Sequence, residues 1–198
     1  MKENRLVFTV LLLLSAPVFQ LPAQQNEADR KLLAEIRAGA DKGDAKAQYE
    51  LGRAFFSGTL GVAKDKAEAV KWFRKAAEQN VADAQFSLGA CYANGQGVTK
   101  DDAEAVKWLR KAAEQNHAPA QYNLGVCYAE GDGVAKNEVE AYKWWLLAAG
   151  QGNEIAKKNM TIVENKMSRE QIAEGQRLAR DFKPRKVPSE GGDARLPP

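Results

Sequence analysis

Histidine is nearly absent from this 198-residue chain, with His117 the only one. A zinc site built on several histidines, or a proton relay of histidines, therefore has no material to work with. Cysteine is scarce too: Cys91 and Cys127 alone are too few for a disulfide framework. Charge of one sign is also missing, because 29 lysines and arginines stand against 26 aspartates and glutamates. A nucleic-acid binder needs a concentrated basic stripe, so no nucleic-acid partner is expected. Cofactors are not expected either. What remains is ordinary: 44% hydrophobic residues, 8% aromatics and abundant alanine, which argue against wholesale disorder. The length suits one domain with flexible ends.

The one long apolar run is LVFTVLLLLSAPVFQL, from Leu6 to Leu21. It is interrupted at Pro17 and is shorter than the roughly 20 apolar residues that a spanning helix needs. Lys2 and Arg5 precede it and the polar QQNEADRK follows. This is the form of a secretory signal over residues 1–23, with cleavage near Ala23. No cysteine stands there to accept a lipid. The expectation is a secreted or periplasmic protein with no membrane span once the signal is removed; an uncleaved N-terminal anchor is the alternative.

Self-comparison finds a period of 36 residues. The three units are 45–81, 82–117 and 118–153, the first carrying one extra residue between Gly58 and Gly61. Trp72, Trp108 and Trp144 keep the register, as do Ala76, Ala112 and Ala148. Each unit reads as two helices. In the first unit one runs from about Ala47 to Phe56 and the other from about Lys66 to Gln79, with Ala69, Val70, Phe73, Ala76 and Ala77 at helical spacing. Gly52, Gly89 and Gly125 fall inside first helices, where glycine costs about 1 kcal/mol relative to alanine. Their recurrence predicts close approach of a partner helix. Gly95–Gly97 and Gly131–Gly133 mark turns, and Asn80, Asn116 and Gly152 end the second helices. Such pairs bury their apolar faces only by stacking, so the fold class is all-α: an α-solenoid of antiparallel helix pairs.

The second unit carries Leu88, Gly89, Tyr92, Gly95, Gly97, Val98, Asp101, Ala105, Trp108, Lys111, Ala112 and Ala113. This pattern, nearly repeated in its neighbours, resembles the Sel-1-like repeats, relatives of the tetratricopeptide repeats. Departures are Phe55 in place of the tyrosine, and Asn137, Leu147 and Gly150 in the third unit. The resemblance implies a scaffold for protein–protein contact and no reaction. It also raises one alternative, because cysteine-rich relatives are linked with β-lactamase or penicillin-binding activity. The chain has no S-x-x-K, S-D-N or K-T-G, the parts such an enzyme needs. A non-catalytic protein is expected, with no catalytic, cofactor or metal site.

Both ends read as caps. Residues 24–44 resemble the second helix of a preceding unit, with Ile36 in register with Phe73 and Ala40 with Ala77. Residues 154–182 keep Ala156 and Met160 in register and then open a last helix at Ser168-x-x-Gln171, a capping-box spacing. Residues 183–198 have four of the seven prolines and no periodicity, so a disordered tail is expected.

Several residues invite functional readings. Cys91 and Cys127 occupy the same position on neighbouring first helices, about 8–10 Å apart, too far for the roughly 4.4–6.8 Å of a disulfide; unpaired thiols are expected. The loops GQGVTKDD and GDGVAKNE lack phosphate-loop and calcium-loop spacing and read as turns. His117 stands where Val81 and Asn153 stand elsewhere, so the architecture does not require it. Trp72, Trp108, Trp144 and Trp145 are expected in the core. Arg74–Lys75 and Arg110–Lys111 are expected on a solvated face. The positions that vary between units along the first helices are Glu50, Arg53 and Phe56; Ser87, Ala90 and Ala93; and Asn123, Val126 and Ala129. On the concave surface of a monomeric solenoid, these nine are the candidate contacts to a protein or peptide partner.

Overall fold

The computed structural model describes residues 20–185, with side chains from residue 26 onward. Among these residues the chain is nine helices: α1 (Gln20–Asp41), α2 (Ala45–Ser57), α3 (Lys66–Glu78), α4 (Ala82–Asn94), α5 (Asp102–Glu114), α6 (Ala118–Glu130), α7 (Glu138–Gly150), α8 (Glu154–Glu164) and α9 (Arg169–Arg180). The expected signal 1–23 lies outside the described residues except for its last four, which open α1. Helices α2–α3, α4–α5 and α6–α7 are the three pairs, stacked through α3 on α4 and α5 on α6. The fold is an all-α solenoid. No helix among the described residues is long and apolar enough to cross a membrane.

Short-range chemistry sets each helix. Asp65, Asp101 and Asn137 accept from the backbone N–H three residues on, at 2.9, 3.0 and 3.1 Å. Asparagine caps as well as aspartate, so the departure at Asn137 changes nothing. At the other ends, Asn80 and Asn116 take φ of 66° and Gly152 takes 89°. Ser168 and Gln171 form the expected capping box on α9.

The first-helix glycines are there for contact. A Cβ on Gly52 would lie 2.6 Å from the Phe73 ring, on Gly89 3.0 Å from Leu109, and on Gly125 2.5 Å from Trp145. The turn glycines bind one unit to the next. Gly97 has φ 74°, and a Cβ there would meet the Lys66 carbonyl oxygen at 2.1 Å; Gly133, at φ 67°, would meet that of Asp102 at 2.0 Å. No other residue fits either constraint.

Buried glutamines run through the stack. Gln48, Gln85 and Gln121 donate to the carbonyls of Ala40, Ala77 and Ala113, at 3.3, 3.0 and 3.2 Å. Their side-chain oxygens accept from Gln79, Gln115 and Gln151 at 2.8, 2.7 and 2.7 Å. Each pair ties a first helix to the ends of the second helices on both sides. Ala40 takes the same bond as Ala77 and Ala113, which places the end of α1 where a second helix belongs.

Aromatic residues do the rest. Trp108, Trp144 and Trp145 are buried, and the indole N–H groups of Trp108 and Trp144 donate to Glu104 and Glu140 one turn back. Trp72 departs from its equivalents. It is half-buried, with no complete unit before it, and its buried indole N–H has no partner among the described residues. The solvated face expected of the arginines is also corrected: Arg74 and Arg110 lie over Tyr92 and Tyr128 of the following unit, at 5.6 and 5.5 Å. Both are half-buried, and the Arg74 guanidinium also donates to the Tyr92 hydroxyl, so these groups join one unit to the next.

The third unit is rewritten where the cap meets it. Tyr142 stands in the place of Val106 and is fully buried; it donates to Glu164 at 2.7 Å and packs under Gly175 of α9. Burial first, and that bond second, raise its phenol above the usual range. Lys75 and Lys111 cover Trp72 and Trp108 at 3.8 and 4.1 Å. Leu147 replaces that lysine, and Phe182 meets the Trp144 ring edge-on at 5.7 Å. The chain then continues to Arg185, whose N–H donates to the Glu114 carbonyl at 2.7 Å and whose guanidinium lies 3.7 Å from the Glu114 carboxylate. Of the tail expected from residue 183, Arg185 is thus tied to the second unit, making a strap from the cap; residues 186–198 lie outside the described ones.

Candidate functional site on the first-helix face

Two hollows open along the row of α2, α4, α6 and α8, and six of the nine variable positions line them. The first, of about 260 Å³, lies between α2 and α4. Phe73 lies beneath it at 5.8 Å from the Tyr49 ring and 6.1 Å from Phe56, while Phe86 and Cys91 line the α4 side. These rings sit there because the first helix turns one apolar row to α3 and leaves the next row half open. The second hollow, of about 290 Å³, lies between α6 and α8, with Val126, Trp145 and Ile162 as its apolar part and Glu130, Lys136, Glu138 and Lys166 around it.

The nine positions divide between these features. Arg53, Phe56, Ser87 and Ala90 line the first hollow, and Val126 and Ala129 the second. Glu50 lines neither but pairs with Arg53 at 3.2 Å. Ala93 packs against the apolar core instead, and Asn123 is half-buried outside both hollows. Sequence reasoning missed Tyr49, Phe86 and Gln96. The first two had a signal, since an aromatic recurs at 49, 86 and 122 on the edge of the core stripe. It also missed α8, although Asn159 and Ile162 fall 36 residues after Asn123 and Val126.

Two other residues have definite places. His117 caps α6, its Nδ1 accepting from the Ala120 N–H at 3.2 Å. Its Nε2 lies 3.1 Å from Asp83 and its ring 5.1 Å from Phe86. This corrects the view that the architecture has no use for it. Cys91 and Cys127 are free, and burial pushes both thiols up to about 11. Among the described residues no three histidines, cysteines or carboxylates are grouped to hold a metal ion.

The model of the Sel1 repeat matches residues 45–81, 82–117 and 118–153, more than half the chain. The chain belongs to the Sel1 repeat family, whose members are in general scaffolds for protein contact and typically non-catalytic. It is similar to the crystal structure of a Sel1 repeat protein from Oxalobacter formigenes, at 43% identity and a TM-score of 0.61, over 65% of this chain and 96% of that one. It is also similar to a protective antigen of uropathogenic Escherichia coli with an SLR fold, at 31% identity and a TM-score of 0.59, over 77% of this chain and 40% of the antigen. No match was found among curated proteins.

Proposed function

We propose that this chain is an exported, non-catalytic, monomeric scaffold that holds an extended segment of a partner protein along the α2–α4–α6–α8 face. The observation that carries this is the pair of hollows at the two ends of that face. Each falls below the roughly 300–1,000 Å³ of a small-molecule pocket, and each suits one large side chain. They are separated by two helix spacings, about 16–20 Å. A strand advances about 3.3 Å per residue and alternates its side chains, so two anchors about six residues apart lie on one face and would reach both. The site offers little for catalysis: Cys91 is the only thiol in the first hollow, and burial keeps it protonated at neutral pH. Export rests on the signal read at residues 1–23.

A pull-down from the native envelope tests the binding. The double variant Glu50→Arg, Arg53→Glu keeps the ion pair and reverses its field, so the fold is spared. It should lose the proteins that the wild-type chain retains; equal retention sinks the reading. For export, the protein recovered from cells should have the mass of a chain starting near Gln24, and a full-length mass would sink that part.

A further inference from the structure

The three second helices begin differently. α5 starts with Asp102 and α7 with Glu138, as the positive end of a helix dipole favours. α3 starts with Lys66 at the same register position. A cation there opposes the dipole, and a local rule broken at one of three equivalent places is where function is to be sought. Lys66 stands beside the Phe56 wall of the first hollow, outside its lining. Its ammonium lies 5.3 Å from the centre of the Phe56 ring, one of the hollow's walls. Asp102 pairs with Lys100 at 3.2 Å, whereas the ion pairs among the described residues do not include Lys66. Arg53, in the lining, is already engaged by Glu50. Beside an apolar hollow, then, stands a cation with no anion paired to it among the described residues.

We propose that the first hollow seats a large apolar side chain of the partner segment, and that an aspartate or glutamate next to it in that segment pairs with Lys66. This rests on the segment-binding reading above and gives it a polarity, because the second hollow has Glu138 where the first has Lys66. The binding motif is an acidic residue beside a bulky apolar one, entering at the α2–α4 end of the face. The charge pair beside the hollow selects among segments, and the apolar anchor holds them.

The experiment is selection of phage-displayed random dodecapeptides on the full chain, followed by fluorescence anisotropy with the selected peptides. Sequences with Phe, Leu, Met or Trp adjacent to Asp or Glu should be enriched. Lys66→Asp should weaken them about tenfold, and changing the peptide's acid to lysine should recover the loss on that variant alone. Because Lys66→Asp gives α3 the acidic start of its two equivalents, its thermal unfolding should be unchanged or raised, which separates lost binding from lost fold. Ala90→Trp, which fills the hollow, should abolish binding. Peptides selected without an acidic neighbour, or bound equally by Lys66→Asp, overturn this inference and leave segment binding standing. If no peptide is retained on the face at all, segment binding falls and this inference with it.

Discussion

The second unit and the third were built from one pattern, and they differ most where their neighbours differ. The second has a complete unit on each side, so Val106, Arg110 and Lys111 serve it as Val70, Arg74 and Lys75 serve the first. The third faces a cap, and there Tyr142, Leu146 and Leu147 take those places. Tyr142 reaches α8, while Leu146 and Leu147 join Met160, Met167, Ile172 and Phe182 among the half-buried side chains packed against the same core. A repeat pattern is therefore a record of what stands on either side of each unit. Departures from it mark the place where the stack stops.

The largest expected effect lies in the interior. Trp108 is 4% exposed and belongs to the core shared with α3. Trp108→Ala should cost about 3–5 kcal/mol in denaturant unfolding, the range for a large buried aromatic. Trp72→Ala, at the half-buried equivalent, should cost less than half of that. Equal losses would mean that the end of the stack is packed as well as its middle. Next comes Gln85→Ala, which removes a buried amide and leaves the Gln115 amide and the Ala77 carbonyl short of partners; about 1–3 kcal/mol is expected.

The strap should matter less. A chain ending at Asp181 loses Phe182 and the Arg185–Glu114 contacts, and about 1–2 kcal/mol should go with half-burial of one ring. A chain ending at Arg185 should melt with the full one. Leu147→Lys restores the lysine of the regular units; it should release Phe182 from Trp144 and change the tryptophan fluorescence while costing about 1 kcal/mol. An unchanged spectrum would mean that the strap is held from Arg185 alone.

Most of the fold was legible because its causes are local or repeated. Caps, turn asparagines, first-helix glycines and the register of both end segments follow from spacing. The glutamine ladder was not seen, since a polar residue at a core register draws no attention until its partners 30 residues on are placed. The strap was illegible for another reason. Phe182 follows no period, and its seat is the edge of Trp144, where the lysine of the regular units is replaced by Leu147. At the site, varying positions were found but not which of them flank a gap; Ala90 lines the hollow and Ala93, three residues on, packs against the core.

The smallest effect concerns the thiols. Both have pKa values raised above the unfolded one, so the protonated form is favoured in the fold. The stability this gives is complete below about pH 8.5 and is lost as pH rises towards 11. At pH 8 Cys91, which is buried, should resist a thiol reagent until the chain unfolds, and half-buried Cys127 should react first. Rapid reaction of Cys91 would show that the α2–α4 hollow is open to water down to its floor.

Binding, in the function proposed above, belongs to the first-helix face. Amide hydrogen exchange, with and without a selected peptide, tests it directly. Added protection should fall on α2, α4, α6 and α8 and be strongest beside the two hollows, with α3, α5 and α7 unchanged beyond their first turns. Protection centred on the second helices, or on the strap at Glu114, would contradict it.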